Sequence, residues 1–310
     1  MRVGVVFAST GGFKILRAIR SLRKTEPDFP IHVVWDVDSG TWRNGGGSAI
    51  ADQVQSMPNV HTRQFHNTKH INGTLNEGMR WMRELGYEYV CLLHDDIIFS
   101  PLSENMHHLT YWFDRMDQDP KLMDASALTL SLIETGITGP DGDLFTGRQP
   151  PEWWDKLDLE SEALWQRLLP EGKTPGFPMG NGPAYEVAAC DWLPFSIRYF
   201  CGDMNYYTRL GPTGQIVPVK TWELIGGFDE KDGIHYDHEY PMECAIRNLP
   251  RIKVIPNAPH LHIHNQSIGY LDPSVGLWGN VGRAFDNKYG AFLKSEEWSR
   301  WLGHGVSHNV

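Results

Sequence analysis

An α/β fold built on a mostly parallel central sheet follows from three observations. Short apolar runs end in Gly-rich or acidic turns, helical periodicity follows the first of them and precedes the third, and that third run, Tyr89 to Leu93, has no polar face. A strand apolar on both sides is the kind that a parallel sheet buries between two layers of helices.

Taken in order, Val3 to Ala8 predicts the first strand, closed by Ser9-Thr10-Gly11-Gly12, and Ile15, Leu16, Ile19 and Leu22 then mark one face of a helix. Ile31 to Trp35 predicts a second strand, which ends in the acidic turn Asp36-Val37-Asp38-Ser39-Gly40, and Thr41 to Ser48 reads as a loop. Thr74 and Glu77 have capping-box spacing ahead of a helix marked by Leu75, Met79, Met82 and Leu85. From about Asp114 to Lys220 the pattern weakens and Gly, Pro and Trp become frequent. This loop-rich stretch holds one helical piece, about Leu157 to Leu169, and a short strand, Val187 to Ala189. Regular structure resumes at Trp222 to Ile225, with a helical pattern at Met242 to Asn248 and a strand at Ile252 to Ile255.

The 310 residues suffice for one large domain. Lys and Arg number 28 against 38 Asp and Glu, a net charge of −10, which has the wrong sign for general attraction to nucleic acid or anionic membrane. Cys91, Cys190, Cys201 and Cys244 form no close pair, so reduced thiols and a cytoplasmic setting are expected, without a zinc knuckle or disulfide framework. No secretion signal and no membrane-spanning apolar run are evident.

Three segments could carry chemistry. His94-Asp95-Asp96 stands at the end of the most apolar strand, where α/β sheets place ligands; adjacent carboxylates there repel and call for a cation such as a divalent ion. In His260-Leu261-His262-Ile263-His264 the three imidazoles share one face, but the outer pair would stand about 13 Å apart, so at most two serve one ion. Read alone, His260 and His262 also suit a solvent-facing polar strand. Asp237-His238-Glu239 offers a general base, or acidic residues placed at a helix N-terminus. Trp153, Trp154, Trp192, Tyr206 and Tyr207 are candidate sugar platforms in the loop-rich middle.

The order of these pieces resembles the GT-A fold glycosyltransferases, specifically the family 2 type that uses nucleotide-diphosphate sugars. The resemblance rests on Val3 to Leu22, Ile31 to Asp36, Asn72 to Gly78, Tyr89 to Asp96, Leu224-Ile225-Gly226-Gly227-Phe228-Asp229-Glu230, His264-Asn265-Gln266-Ser267, and Phe285-Asp286-Asn287-Lys288-Tyr289-Gly290. It covers about residues 1–110 and 215–290. Two positions depart from it: His94 stands where a DxD motif has its first Asp, and Tyr236-Asp237-His238-Glu239 replaces a plain Glu-Asp pair.

The resemblance implies a single GT-A type, Rossmann-like domain over 1–310. Residues 1–113 form the nucleotide-binding half, 114–270 an acceptor-binding half with a loop-rich insertion, and 271–310 a C-terminal segment. It implies an inverting, metal-dependent hexosyl- or pentosyltransferase taking a nucleotide-diphosphate sugar, foremost a UDP-sugar, with Mn2+ or Mg2+ as cofactor. Asp96 and His264 would hold the metal. Ser9, Thr10, Asp36, His94, Asp95, Arg283 and Lys288 would bind the nucleotide, with Asp237 the first choice for base and Glu239 the second. The acceptor would be a glycan or another hydroxyl-bearing group, a modified nucleobase included. Two other readings share the acidic α/β site: a nucleotidyltransferase, and a non-catalytic sugar-nucleotide or glycan-binding protein.

Overall fold

The computed structural model describes residues 2–44, 46–66, 71–103, 108–135, 161–168, 187–188, 197–200, 214–231, 234–262 and 277–302. The strands are β1 (Val3–Ser9), β2 (Ile31–Asp36), β3 (Val60–Phe65), β4 (Tyr89–His94), β5 (Ile97–Phe99), β6 (Leu128–Thr135), β7 (Val187–Ala188), β8 (Ile197–Phe200), β9 (Gln215–Pro218) and β10 (Lys253–His262). The helices are α1 (Lys14–Thr25), α2 (Gly40–Asn44), α3 (Gly47–Gln55), α4 (Ile71–Glu84), α5 (Leu109–Gln118), α6 (Pro120–Met123), α7 (Glu162–Leu168), α8 (Val219–Ile225), α9 (Tyr236–Ile246), α10 (Leu277–Tyr289) and α11 (Glu296–Leu302), with a 3-10 turn at Phe292–Lys294.

The main sheet runs β3-β2-β1-β4-β9-β6-β10-β5, with β8 paired to β6 and β7 to β8. β3, β2, β1 and β4 are parallel; β9 is antiparallel to both β4 and β6, and β10 is parallel to β6. Two antiparallel steps restore direction, so β6 and β10 run the same way as β4 and their carboxyl ends lie on its edge of the sheet. The chain builds outward from β1 through β2 and β3, then returns to place β4 on the other side. That reversal makes the β1/β4 boundary the switch point at which such sheets open a ligand crevice.

Side-chain alternation divides the core between the two faces. Val5 and Phe7 of β1 join Ile15, Ile19 and Leu22 of α1, Val54 of α3 and Phe113 of α5. Val6 and Ala8 join Leu75, Met79 and Met82 of α4, Trp222 of α8, Tyr236 and Tyr240 of α9, and Trp298 and Trp301 of α11. Each fully buried Leu, Ile or Val on these faces contributes about 1.5–3 kcal/mol.

Several expectations require correction. The loop expected over Thr41 to Ser48 contains α2 and the start of α3. The Ser39 hydroxyl accepts the Trp42 N–H at 3.0 Å, and Gly46 turns the chain at φ +73°. The capping box does not form, because α4 begins three residues before Thr74; Glu77 instead pairs with Arg63 at 2.9 Å and Arg80 at 3.0 Å. α9 starts at Tyr236, so Asp237 and Glu239 lie within its first turn and complement the positive end of its dipole. Helix and strand expectations at Leu157 to Leu169 and Val187 to Ala189 correspond to α7 and β7, although residues 157–160, 169 and 189 lie outside the described residues. Among the described residues, no helix is long and apolar enough to cross a membrane.

Candidate functional site

At the switch point, β1 and β4 are joined through side chains as well as backbone. The Ser9 hydroxyl donates to Asp95 Oδ2 at 2.6 Å and the Thr10 N–H to the same oxygen at 3.4 Å, so Asp95 fixes the turn after β1. Lys14, the first residue of α1, is buried and acts electrostatically on both Asp95 and Asp96. Burial raises the Asp95 pKa. It works in the same sense on Asp96, but His262, Lys14 and His94 outweigh it and hold that carboxyl well below the ordinary range. The adjacent acids thus divide their roles, Asp95 bracing the turn and Asp96 remaining ionised.

Asp96 meets β10 by register. Ile97 of β5 lies opposite His262 of β10, which brings Asp96 beside that imidazole, with His262 Nε2 3.6 Å from Asp96 Oδ1. His262 reaches this place across an irregular stretch: Ile255 pairs with Leu130 and His260 with Leu132, so β10 advances five residues while β6 advances two. The difference is odd, 5 − 2 = 3, and inverts which face alternate residues take beyond it. His260, Leu261 and His262 are buried at 0%, 1% and 5% exposure, so both faces of this stretch of β10, which lies between β6 and β5, are covered and the histidines are not solvent-facing.

His94, Asp96 and His262 offer one ligand atom each, all within 4.8 Å of one another. Asp96 Oδ1 is buried without a hydrogen bond, since the contact to His262 is too long for one. A buried anionic oxygen facing two imidazoles fits a divalent cation, so the side chains present suit the metal that the resemblance implies. His264, the other ligand expected from the sequence, lies outside the described residues, as do Trp153, Trp154, Trp192, Tyr206 and Tyr207.

Behind His94 stands Tyr236, whose hydroxyl is 3.1 Å from His94 Nε2 and donates to Gln215 Oε1 of β9 at 3.0 Å. Burial pushes the His94 pKa down to about 4, leaving the ring neutral near pH 7. His235 packs edge-on against His94 with ring centroids 6.4 Å apart, and its Nδ1 lies 2.6 Å from Asp237 Oδ1. The Asp237 side chain is 1% exposed and that of His235 25%, so the imidazole is the solvent-facing member of the pair.

Glu239 is engaged differently. Its Oε2 accepts the Asp229 N–H at 2.8 Å, and its Oε1 receives Lys288 Nζ at 2.8 Å and the Tyr289 hydroxyl at 3.3 Å. Lys288 also bonds Asp229 at 2.7 Å, while Arg283 is exposed on the same helix, α10. Asp36, at the end of β2, accepts the Asp38 N–H at 3.1 Å, and Ser39 ties its turn to the Thr10 carbonyl at 2.9 Å. Burial raises the Asp36 pKa to about 6.

The structure therefore gathers Ser9, Thr10, His94, Asp95 and Asp96 at the switch point, sets Asp237 beside them through His235, and holds Glu239 and Lys288 in one ion-pair group. Residue reading missed Lys14, His235, Tyr236 and Gln215. Lys14 had a signal, being the cation directly behind the first Gly turn, whereas the part taken by Gln215 depends on its pairing with the distant Leu92 of β4 and leaves none.

No protein-family model matches the chain, and no curated protein matches its sequence. Solved structures do match it. Residues 1–349 of TarS from S. aureus, crystallised in complex with UDP, align at a TM-score of 0.52 and 14% identity, over 100% of this chain and 73% of that one. GalNAc-T7, crystallised with UDP, GalNAc and Mn2+, aligns at 0.50 and 9% identity over 92% of this chain; the match spans 48% of that chain, about half its length. At these identities the likeness establishes the fold, which is the GT-A type.

Proposed function

We propose that the protein transfers a sugar from a nucleoside-diphosphate donor to an acceptor hydroxyl, with a UDP-sugar as donor and inversion at the anomeric carbon. The observation that carries this reading is the buried, hydrogen-bond-deficient Asp96 Oδ1 grouped with His94 and His262 on the carboxyl edge of a GT-A sheet. UDP in both solved relatives, and Mn2+ in one, supports the choice of donor and ion.

In this reading Asp36 accepts from the ribose or base, and Asp95 keeps Ser9 and Thr10 where the nucleotide enters. A divalent ion held by Asp96, His262 and His94 would supply Lewis-acid neutralisation of the leaving diphosphate. Lys14 adds fixed positive charge beneath that position. The acceptor proton goes to the His235–Asp237 pair, with Asp237 behind the ring to hold Nδ1–H and stabilise the cation that forms; such general-base help contributes about 10²- to 10⁴-fold. Glu239, with both oxygens engaged, serves to anchor the helix that carries the pair.

The test is a thermal-shift panel of UDP, GDP, CDP and dTDP, each with Mn2+ or EDTA. We expect one diphosphate to stabilise the protein only with metal, by about 2.7 kcal/mol at 100 times its dissociation constant. Asp96→Ala should abolish that shift and Asp237→Asn should keep it. A shift indifferent to EDTA and to Asp96→Ala would overturn the metal-dependent reading. Full sugar transfer by Asp237→Asn would remove the role assigned to the His235–Asp237 pair.

A further inference from the structure

We propose that Trp42 is a positioning residue for the nucleotide: from behind, its indole fixes the spacing between the turn after β1 and the turn after β2, the two places assigned to the donor. This rests on the donor reading above and adds to it a residue outside the acidic site.

The indole is gripped on three sides. A Cβ built on Gly11, in the turn after β1, would stand 2.6 Å from Trp42 Cε3. One built on Gly47, the first residue of α3, would stand 2.6 Å from Trp42 Cδ2 and 2.9 Å from its Cα. Both lie well inside the about 3.5–4.0 Å at which carbon atoms rest in contact, so the ring occupies the room that two absent side chains leave. On the third side the fully buried Trp35 of β2 packs against it, with ring centroids 5.6 Å apart.

Hydrogen bonds make the same connection along the backbone. The Ser39 hydroxyl accepts the Trp42 N–H at 3.0 Å and donates to the Thr10 carbonyl at 2.9 Å, while the Ser39 N–H bonds the Asp36 carbonyl at 3.3 Å. Gly11 belongs to the Thr10 side of this link, its N–H reaching Ser9 Oγ at 3.1 Å. The ladder between β1 and β2 ends at the Ser9–Trp35 pair. Beyond it, the turns that carry Ser9, Thr10 and Asp36 are joined through Ser39 and Trp42 instead. A ligand that bridges both turns binds only when they are correctly spaced. If loss of the indole leaves that spacing in a tenth of the molecules, apparent affinity falls about tenfold. The metal-binding side chains stand at the ends of β4 and β10 and are not part of this link.

The experiment is calorimetric titration of the full chain with UDP, GDP, CDP and dTDP, each in MnCl2, with a melting curve recorded for every variant. For the diphosphate that binds, Trp42→Leu should weaken affinity about tenfold, and Trp42→Phe, which keeps a six-membered ring, by about threefold or less. Gly47→Ala should act like Trp42→Leu, although residue 47 is assigned no contact with the donor and lies in ordinary helical backbone; its methyl displaces the indole. In the Asp36→Asn background, where binding no longer depends on the spacing, Trp42→Leu should add little. Val54→Ala, a cavity near the other end of α3, should lower the melting temperature and leave affinity unchanged. Unchanged affinity in a folded Trp42→Leu or Gly47→Ala, additive losses with Asp36→Asn, or an equal loss in Val54→Ala would each overturn this inference while leaving the donor site in place. Binding of none of the four diphosphates to the wild type would remove the donor reading, and this inference with it.

Discussion

Asp36 is held in the folded protein at a cost that depends on pH. Burial raises its pKa to about 6, against an unfolded value of about 3.9, despite the hydrogen bond from the Asp38 N–H. Between those two values the folded chain keeps a proton that the unfolded chain has released. Stability must therefore fall as pH rises through that window, and above about 6 the residue is a net liability. We expect Asp36→Asn to be more stable than wild type at pH 7.5, with the difference gone near pH 4, as read from urea midpoints at several pH values. A difference independent of pH would show that burial of the charge is not its source. Retaining an ionised carboxylate in so unfavourable a place makes sense if it accepts hydrogen bonds from a nucleoside, so the same variant should lose affinity for the diphosphate.

At the scale of elements, α4 is joined to the segment between α8 and α9 by two asparagines. Asn76 Nδ2 donates to the Phe228 carbonyl and to Glu230 Oε1, both at 2.7 Å, and its Oδ1 accepts from Trp222 Nε1 and the Phe228 N–H, both at 2.9 Å. Asn72 donates to the carbonyls of Asp229 at 2.6 Å and Ile234 at 2.8 Å and accepts the Tyr236 N–H at 3.1 Å. An alanine at 76 would leave the Trp222 and Phe228 donors without this acceptor in a buried site, so Asn76→Ala should cost about 2–4 kcal/mol by chemical denaturation. Asn76→Asp should be no better, because its second oxygen would face the Phe228 carbonyl and Glu230. A loss under about 0.5 kcal/mol in the alanine variant would mean that water replaces the amide.

These ties explain which parts of the fold were legible. β1, β2 and β4 are encoded by local periodicity to within one residue of their ends, and α1 to within three, its last turn to Thr25 lying beyond Leu22. α2 was not, since a five-residue helix has too little pattern to see. β9, four residues long, is a strand because it finds both β4 and β6, and its antiparallel insertion cannot be read from its own residues. At the site, Asp96 was evident from its place after β4. The burial of His262 depends on β10 lying between β6 and β5 with both faces covered, which alternation within its own residues does not reveal.

Over the whole molecule, the C-terminal helices are fastened to α9 and to the turn that precedes it. α10 reaches back to α9 through Lys288, whose ammonium bonds Asp229 at 2.7 Å and Glu239 at 2.8 Å, and through Tyr289, whose hydroxyl donates to Glu243 at 2.7 Å. The Glu239 side chain is 3% exposed, and burial raises its pKa while Lys288 opposes that rise. Removing the lysine would strand a buried carboxylate, and the loss should exceed the worth of a surface ion pair. We expect Lys288→Met to lower stability by about 2–3 kcal/mol, less than a wholly buried pair would give because the ammonium keeps part of its solvation. In the Glu239→Gln background only the partly exposed Asp229 loses its cation, so the same change should cost less than in the wild type, and a double-mutant cycle isolates the Lys288–Glu239 pair. The cycle also decides between two roles for this residue, because the sequence resemblance assigns Lys288 to the donor diphosphate. Retained stability with loss of the nucleotide-induced thermal shift would support that assignment. Reduced stability with the shift retained would make Lys288 the clasp that holds α10 against α9, and would leave Lys14 as the cation serving the diphosphate.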